Sequence, residues 1–268
     1  MKRTEWMKVL GAVVVVLLYT FLLAPIAVVV VAAFNAGEFL HFPPEGFSLR
    51  WFVKFGQSSV FVKAFLFSLR LALIVSLTAT VIGTLAALYV VHRRGRFSGP
   101  VQLSMISPLA MPQILSALAL LLFAYAIGLG TRNGVALFIG HLIVTVPFVF
   151  IIVSGVLYGF DRNLEEASRG LGATPWKTFW RVTFPLIRGG VISGALFAFI
   201  VSFDQFPMNL LLAGVGINTL PVHMFDYLRF SFDPTIAAVS TINIAMTLVL
   251  VLLMERLVGL ESLQWSRK

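Results

Sequence analysis

Residues 165–185 read EEASRGLGATPWKTFWRVTFP, a largely polar segment that lies between two long apolar runs at residues 134–159 and 189–212. Each run is long enough to cross the hydrocarbon core of a membrane, which is about 30 Å thick and takes roughly 20 helical residues. Long apolar runs also continue along the chain in both directions. The sequence therefore predicts an all-α polytopic membrane protein in which residues 165–185 belong to a loop between two spans.

The composition of the 268-residue chain agrees with a membrane protein, since 59% of its residues are hydrophobic and only 12% are charged. Soluble domains have about 25% charged residues. The chain has no cysteine, which excludes disulfides, thiolate metal sites and a cysteine nucleophile. Its four histidines show no metal-ligand spacing, so we expect no metal site.

Six segments are long and apolar enough to span the membrane, and no linker or internal repeat divides them, so we expect a single transmembrane domain over residues 1–268. Prolines within or beside these segments predict kinks rather than breaks. The first segment follows basic residues as a signal peptide would, but it is too long and lacks a convincing cleavage site. The spans are expected at about residues 9–34, 64–91, 101–128, 134–159, 189–212 and 236–256.

The basic residues predict the orientation of the spans. With the N-terminus in the cytosol, fourteen Lys and Arg residues fall on the cytosolic side and five on the outer side, with Arg70 left within a span. Cytosolic loops of membrane proteins carry such an excess. Both termini are therefore expected in the cytosol, and the loop at residues 161–188 is a cytosolic loop.

The long cytosolic loop has the signals of two short helices joined by a turn. Glu165, Glu166 and Ala167 open the first helix, and Gly172 can end it in a left-handed conformation. Thr174 and Pro175 fit the N-cap and the first position of a second helix. Its aromatic residues are expected to pack against the membrane domain: Trp176, Phe179, Trp180 and Phe184. The loop is thus predicted to be a rigid helix-turn-helix knob.

This loop resembles the EAA loop of permease subunits of ABC importers, whose pattern is Glu-Ala-Ala, three residues, Gly, nine residues, and Ile-x-Leu-Pro. The spacing is kept throughout, and three positions depart conservatively: Ser168, Val182 and Phe184. In that family the knob is a coupling helix that docks on the cytosolic ATPase. The resemblance implies a coupling role for Glu165, Glu166, Ala167, Ser168, Gly170, Gly172 and Pro185. The alternative is an amphipathic hairpin that lies on lipid headgroups.

The resemblance implies the type I ABC importer permease fold, with six transmembrane helices and a coupling helix-turn-helix between helices 4 and 5. It also implies a multi-pass protein of the bacterial inner membrane and an assembly with a second permease subunit, identical or different. Two cytosolic ATPases and an extracytoplasmic solute-binding protein complete that assembly, and nucleic acid has no part in it. The chain has no P-loop motif, so we expect no cofactor in it, and ATP and Mg are bound by the ATPase partner.

Nearly the whole chain looks like the second permease subunit of spermidine and putrescine importers. Segments at residues 24–35, 46–52, 201–214 and 219–242 carry this likeness. One departure is Gln205, where such relatives often have a glutamate after the aspartate. The likeness implies import of a polyamine, and the alternative is the same architecture carrying another small solute, such as an amino acid derivative, a phosphonate or another anion.

Asp204 is the only acidic residue deep in a predicted span, where a carboxylate costs about 2.5–3.5 kcal/mol and so needs a partner or a wet cavity. We expect Asp204 to contact a cationic solute. The alternative is an interhelical hydrogen bond or ion pair. Its polar neighbours in the sequence suit the lining of a pathway. The candidate pathway residues are Asp204, Ser202, Gln205, Asn209, Tyr125 and His141, although a lone histidine is more often a packed, hydrogen-bonded residue.

Two other classes of function fit the sequence less well. An intramembrane enzyme needs a nucleophile motif, a zinc-binding histidine pair or paired aspartates, none of which occurs in the sequence. A channel or independent carrier needs a filter-like loop or inverted halves with broken helices. The chain is therefore expected to be a permease subunit and not an enzyme.

Overall fold

The structure is a computed structural model that describes residues 2–93, 95–132, 134–214 and 216–258. Within these residues the chain is almost entirely helical, and the only β-type pairing is an isolated bridge between Asn35 and Phe47. The α-helices are α1 (Lys2–Ala33), α2 (Arg50–Gln57), α3 (Ser59–His92), α4 (Ser98–Ile106), α5 (Gln113–Ala126), α6 (Val135–Tyr158), α7 (Asn163–Gly170), α8 (Pro175–Thr178), α9 (Phe184–Phe203), α10 (Pro207–Leu212), α11 (Leu220–Phe230) and α12 (Thr235–Val258).

The helices of the described residues account for the six predicted spans. Five of them are long and apolar enough to cross a membrane, and a bent pair of helices, Ser98–Ala110 and Gln113–Ala126, makes the sixth. The five continuous segments are Trp6–Ala33, Ser59–His92, Val135–Tyr158, Pro175–Phe203 and Thr235–Leu257. Of the basic residues predicted on the cytosolic side, Arg94, Arg267 and Lys268 lie outside the described residues.

The third span is broken and not merely kinked, so the prediction for Pro108 and Pro112 was wrong. The two halves of the span are bent by 108°. Neither proline can donate a backbone hydrogen bond to the preceding turn. Met111 takes an extended conformation, with φ −95° and ψ 139°, because Pro112 disfavours the helical region for the residue before it.

The second helix of the loop is continuous with the fifth span, whereas the sequence predicted a span beginning only at residue 189. A π-helical turn at Phe179–Thr183 joins α8 to α9. Pro185 cannot donate to the carbonyl four residues before it, and a wider turn accommodates such a defect. The result is one helical rod of 29 residues, Pro175–Phe203.

The contacts between residues divide the chain into two compact units. The first contains the chain up to Val62 together with Met224–Met246, and the second contains Lys63–His223 together with the chain from Thr247 onward. The single-domain expectation remains a prediction.

In the first unit, Asn35 organises the segment after α1. Its side-chain carbonyl accepts hydrogen bonds from the backbone of Gly37 and Glu45, and its backbone carbonyl accepts one from the Trp51 indole. In the same unit, the carboxylate of Asp233 accepts hydrogen bonds from Lys54 and Tyr227. These polar contacts hold the loops of this unit in place.

In the second unit, α6 packs along α9 in a close antiparallel pair. An added Cβ at Gly190 would lie 2.8 Å from a methyl group of Val156, and one at Gly194 would lie 3.2 Å from a methyl group of Val149. The small residues Gly190 and Gly194 therefore permit this close contact between the two helices. Gly155, also on α6, makes no such contact, since an added Cβ there would meet nothing within 4 Å.

Candidate functional site

The predicted helix-turn-helix lies between α6 and α9. The first helix is α7, and Gly172 follows it with a φ of 85°, a left-handed conformation that glycine adopts without steric cost. The hydroxyl of Thr174 then accepts a hydrogen bond of 3.3 Å from the backbone of Lys177. The predicted turn at Gly172 and the predicted cap at Thr174 are therefore confirmed.

The two arms of this hairpin, residues 161–188, are joined by polar contacts between buried or half-buried side chains. Ser168 and Thr178 have hydroxyl oxygens 3.3 Å apart. Glu165 is only 7% exposed, and its carboxylate accepts a short hydrogen bond from the hydroxyl of Thr183. Thr178 and Thr183 are also buried. The hairpin is thus fixed internally by hydroxyl and carboxylate groups.

The prediction that the aromatic residues of the second arm pack against the membrane domain was wrong for the two tryptophans. Trp176 is 70% exposed and Trp180 is exposed as well. Their rings lie 5.6 Å apart between centroids, and both contact Phe179. The buried face of this arm carries Thr178 and Thr183, because these side chains face α7 across the hairpin.

The opposite face of the hairpin is exposed. Glu166, Ala167 and Gly170 are on the surface of α7, and Leu171, in the turn, is 90% exposed. Gly172 and Pro185 are also exposed, whereas Ser168 is half-buried. An exposed leucine beside small residues and one carboxylate forms a surface with room for close approach by another chain.

Besides the break in the third span, a second helix break lies at residues 204–206, between α9 and α10. Polar side chains gather beside it. His141, which is 1% exposed, has its Nδ1 atom 2.8 Å from the Ser202 hydroxyl and its Nε2 atom 2.8 Å from Oδ1 of Asn209. The side-chain amide of Asn209 donates to the carbonyl of Gln205, so its Oδ1 accepts from the Nε2–H of His141. His141 thus matches the packed, hydrogen-bonded alternative that the sequence left open.

Gln205 connects this cluster to the break in the third span. Its side chain is buried, and its Nε2 atom lies 3.4 Å from Oε1 of Gln113, the first residue of α5. Gln113 follows directly after the bend at Pro112. The two irregular segments of the second unit therefore meet through a pair of glutamine side chains.

Asp204 and Tyr125 lie outside this buried cluster. Asp204 is exposed at the point where α9 ends, and Tyr125 is 62% exposed on α5. His141 lies six residues along α6, or about 9 Å from its first residue, Val135. Because Ser202 contacts His141, Asp204 lies near the same level and within the length of the spans.

No group of three or more His, Asp or Glu side chains lies close enough to hold a metal ion within the described parts of the chain. The sequence missed two features of the hairpin: the burial of Glu165 and its contact with His92, whose Nε2 atom lies 3.0 Å from a carboxylate oxygen. No local pattern predicts this contact, since the two residues are 73 positions apart.

Five apolar helices with a bent pair, an exposed hairpin between the fourth and the fifth span, and polar groups at breaks within the spans are the features expected of an importer permease. The chain belongs to the family described as "Binding-protein-dependent transport system inner membrane component", whose model matches residues 79–260. It is therefore a multi-pass permease of an ABC importer, and its resemblance to that class is confirmed.

Among curated proteins, the putrescine transport system permease protein PotI of Escherichia coli is 34% identical over 247 residues, which cover 90% of this chain and 86% of the relative. The spermidine/putrescine transport system permease protein PotC of Haemophilus influenzae is 27% identical, covering 88% of this chain and 91% of the relative. The molybdenum transport system permease protein ModB of Mycobacterium bovis is 28% identical and covers 71% of this chain and 76% of the relative.

Solved structures of ABC importers have the same fold. A chain of a bacterial ABC transporter involved in the import of the acidic polysaccharide alginate aligns with a TM-score of 0.75 at 17% identity, over 96% of both chains. A chain of the MetNI methionine ABC transporter aligns with a TM-score of 0.63 at 20% identity, over 74% of this chain and 94% of that one. The predicted fold class, an all-α permease, is thereby confirmed.

Proposed function

We propose that this chain is one permease subunit of an ATP-driven importer of a small organic cation of the polyamine class. It forms half of the translocation pathway and receives the motion of a cytosolic ATPase through the hairpin at residues 161–188. The exposed face of this hairpin is the observation that carries the proposal, since a rigid surface element that ends in an exposed Leu171 is suited to docking in a groove.

The chemistry of the hairpin supports docking on a protein. Ala167 and Gly170 allow the backbone of α7 to approach a partner closely, and Glu166 offers one charged contact. The second arm runs without interruption into the fifth span, so a displacement of the docked turn moves that span as one rod. The chain thus transmits mechanical work and leaves ATP and Mg to the partner.

The position of Asp204 supports a cationic solute. An ionised carboxylate within a span is expensive unless water, a counter-charge or a solute meets it. Gln113 and Gln205 add amide groups at the two adjoining breaks, and irregular backbone at membrane depth is tolerated where it lines a cavity or lies buried in protein. In this proposal, Asp204 attracts ammonium groups of the solute, while His141, Ser202 and Asn209 shape the helix break behind it.

The names of the relatives support the same class of solute. Putrescine and spermidine appear in the names of two relatives that align over most of this chain. A relative named for molybdenum transport represents the alternative, an importer of an anion with the same architecture. The fixed negative charge at Asp204 favours the cation.

The proposed assembly contains a second permease subunit, two cytosolic ATPase subunits and an extracytoplasmic solute-binding protein. A structural relative was solved in complex with a periplasmic protein that carries an alginate pentasaccharide, which supports the last partner. Both termini and the hairpin face the cytosol in this proposal, because most Lys and Arg residues lie on that side.

The test combines purification with a charge reversal. Tagged protein purified in mild detergent should recover an ATPase subunit, and Glu166→Lys should abolish uptake of labelled putrescine while the chain still inserts. The matched control is Glu255→Lys, which makes the same charge change at an exposed position on α12. Recovery of the chain only as a homo-oligomer, or normal uptake by Glu166→Lys, would contradict the coupling role.

A further inference from the structure

Glu165 and Glu166 are neighbours in the sequence, but their surroundings are opposite. Glu166 is exposed on the outer face of α7, whereas Glu165 is 7% exposed and points into the hairpin. A buried carboxylate is strongly unfavourable unless its oxygen atoms accept hydrogen bonds or meet a positive charge. The contacts of Glu165 therefore indicate what it does.

Hydrogen bonds connect the Glu165 carboxylate to Thr183 and His92, and His92 to its own helix. The Thr183 hydroxyl donates to Oε1, and Nε2 of His92 lies 3.1 Å from Oε1 and 3.0 Å from Oε2. The Nδ1 atom of His92 lies 3.0 Å from the backbone carbonyl of Leu88 in its own helix. Glu165 thus joins α7, the π-helical turn before α9, and the last residue of α3.

The hydrogen-bond acceptors of this cluster determine how many protons it holds. A backbone carbonyl can only accept, so Nδ1 of His92 must donate to Leu88. The contact between Nε2 and the carboxylate then needs a second proton, carried by the imidazole ring or by Glu165 itself. Both ring nitrogens of His92 are therefore engaged, one by its own helix and one by Glu165.

A second contact ties the hairpin to the same end of α3. The guanidinium of Arg162, the residue before α7, donates a short hydrogen bond to the carbonyl of Val91. Beside the cluster lies a cavity of about 310 Å³, whose lining includes the charged or titratable side chains Tyr89, Arg93 and Arg169. His92 and Glu165 also line this cavity, so the latch contacts lie at its wall.

We propose that His92, Glu165 and Thr183 form a latch that positions the hairpin against α3 and α9, so that Glu165 acts within this chain and not as a contact to the ATPase. This inference rests on the proposed coupling function. When the docked turn moves, the latch transfers the motion to α3 as well as to the continuous rod of α8 and α9. Without the latch, the hairpin remains able to dock but moves α3 less.

The chain has no cysteine, so single introduced cysteines report docking and response separately. Ala167→Cys, on the exposed face of α7, measures docking by its cross-link to a cysteine placed in the ATPase subunit. Met111→Cys, exposed at the break in the third span, measures the response by the change in its maleimide labelling rate when a non-hydrolysable ATP analogue is added to the assembled complex. Neither readout depends on the identity of the solute.

The variants that open the latch are Glu165→Gln, His92→Gln and Thr183→Val. We expect each of them to keep the docking cross-link and to reduce the ATP-dependent change at position 111 by at least about fivefold, the lower end of typical allosteric coupling. The combined Glu165→Gln and His92→Gln variant should lose no more than either single variant, because the two residues act as a pair. The matched controls are His41→Gln, at an exposed residue of the first unit, and Thr78→Val, at a half-buried residue in the middle of α3.

Rescue by a conservative replacement separates positioning from a merely structural role. His92→Lys keeps a nitrogen donor that can reach the Glu165 carboxylate, so we expect it to restore the response.

Three results would overturn the latch. They are an unchanged response in Glu165→Gln, a loss of the docking cross-link together with the response, and a response in His92→Lys as low as in His92→Gln. Failure of the proposed function would give a different result. The Ala167→Cys chain with an intact latch would then form no cross-link to the ATPase.

Discussion

Single residues in this permease differ in role according to burial more than according to type. The sequence grouped Glu165 with Glu166 as coupling residues and grouped His141 with Asp204 as pathway residues. In the structure, Glu165 and His141 are buried with hydrogen-bond partners, and Glu166 and Asp204 are exposed. Residue types and spacing predicted where the polar groups cluster, but burial depends on contacts between distant segments, which no local pattern contains.

Asp204 offers the most direct test of the pathway. Asp204→Asn removes the negative charge and keeps the shape, and a hydrogen bond to a charged group is worth about 1.5–3 kcal/mol. We therefore expect uptake of labelled putrescine to fall by about tenfold or more. The apparent melting temperature in mild detergent should remain unchanged, since the side chain is exposed.

Two comparisons frame this result. Glu255→Gln removes another exposed carboxylate and should leave uptake unchanged. His141→Ala should instead lower the apparent melting temperature, because it leaves the buried side chains of Ser202 and Asn209 without this hydrogen-bond partner. Each unsatisfied buried group costs about 1–3 kcal/mol of stability. Normal putrescine uptake by Asp204→Asn would reduce this residue to a packing role.

The contact between Lys54 and Asp233 predicts a pH dependence. Burial alone would raise the pKa of Asp233, but hydrogen bonds from Lys54, Thr235 and Tyr227 outweigh it and hold this pKa below its ordinary value. The pKa of Lys54 is raised, chiefly by its hydrogen bond to Asp233. The carboxylate therefore stabilises the fold above about pH 3.9 and loses this effect as the pH falls through the lowered pKa. The lysine loses its contribution only as the pH rises past its raised pKa, above about 10.4.

Asp233→Asn should consequently lower the apparent melting temperature near neutral pH. The difference between the variant and the original chain should shrink as the pH falls below about 4, because the original carboxylate is then protonated as well. Thermal unfolding of both proteins in mild detergent at a series of pH values measures this difference in melting temperature. A difference that stays constant down to acidic pH would show that this ion pair does not stabilise the first unit.

At the level of helices, the sequence predicted the existence of the spans better than their continuity. Apolar length was enough to place the six spans, and the turn at Gly172 followed from glycine and capping signals. The break at Pro108 and Pro112 and the π-helical turn before Pro185 were not predicted. A single proline can kink, break or widen a helix, and neighbouring helices decide among these outcomes.

The glycine pairs provide a matched test of helix packing. Gly190→Ala would place a methyl group 2.8 Å from Val156 and force α9 away from α6, whereas an added Cβ at Gly155 would meet nothing within 4 Å. Overpacking of this kind costs about 1–3 kcal/mol. We expect a lower apparent melting temperature for Gly190→Ala and no change for Gly155→Ala. Equal melting temperatures for the two variants would mean that α6 and α9 do not pack as closely as described.

At the level of the whole molecule, the hairpin is the feature on which the proposed function depends. Its local structure was predictable because capping and turn signals lie within a few residues of one another. The exposure of Trp176 was not predictable, because an amphipathic pattern does not distinguish packing against the chain itself from packing against another molecule. A rigid element with an exposed end, continuous with a span, indicates a part that a partner completes.

The most direct test of this account is a single-particle map of the assembled complex, purified in mild detergent with its ATPase subunits. We expect the turn around Leu171, together with Glu166 and Ala167, to lie in a groove of the ATPase, while Glu165 remains within the hairpin beside His92. A map in which residues 161–185 lie flat against lipid and touch no other polypeptide would contradict the account.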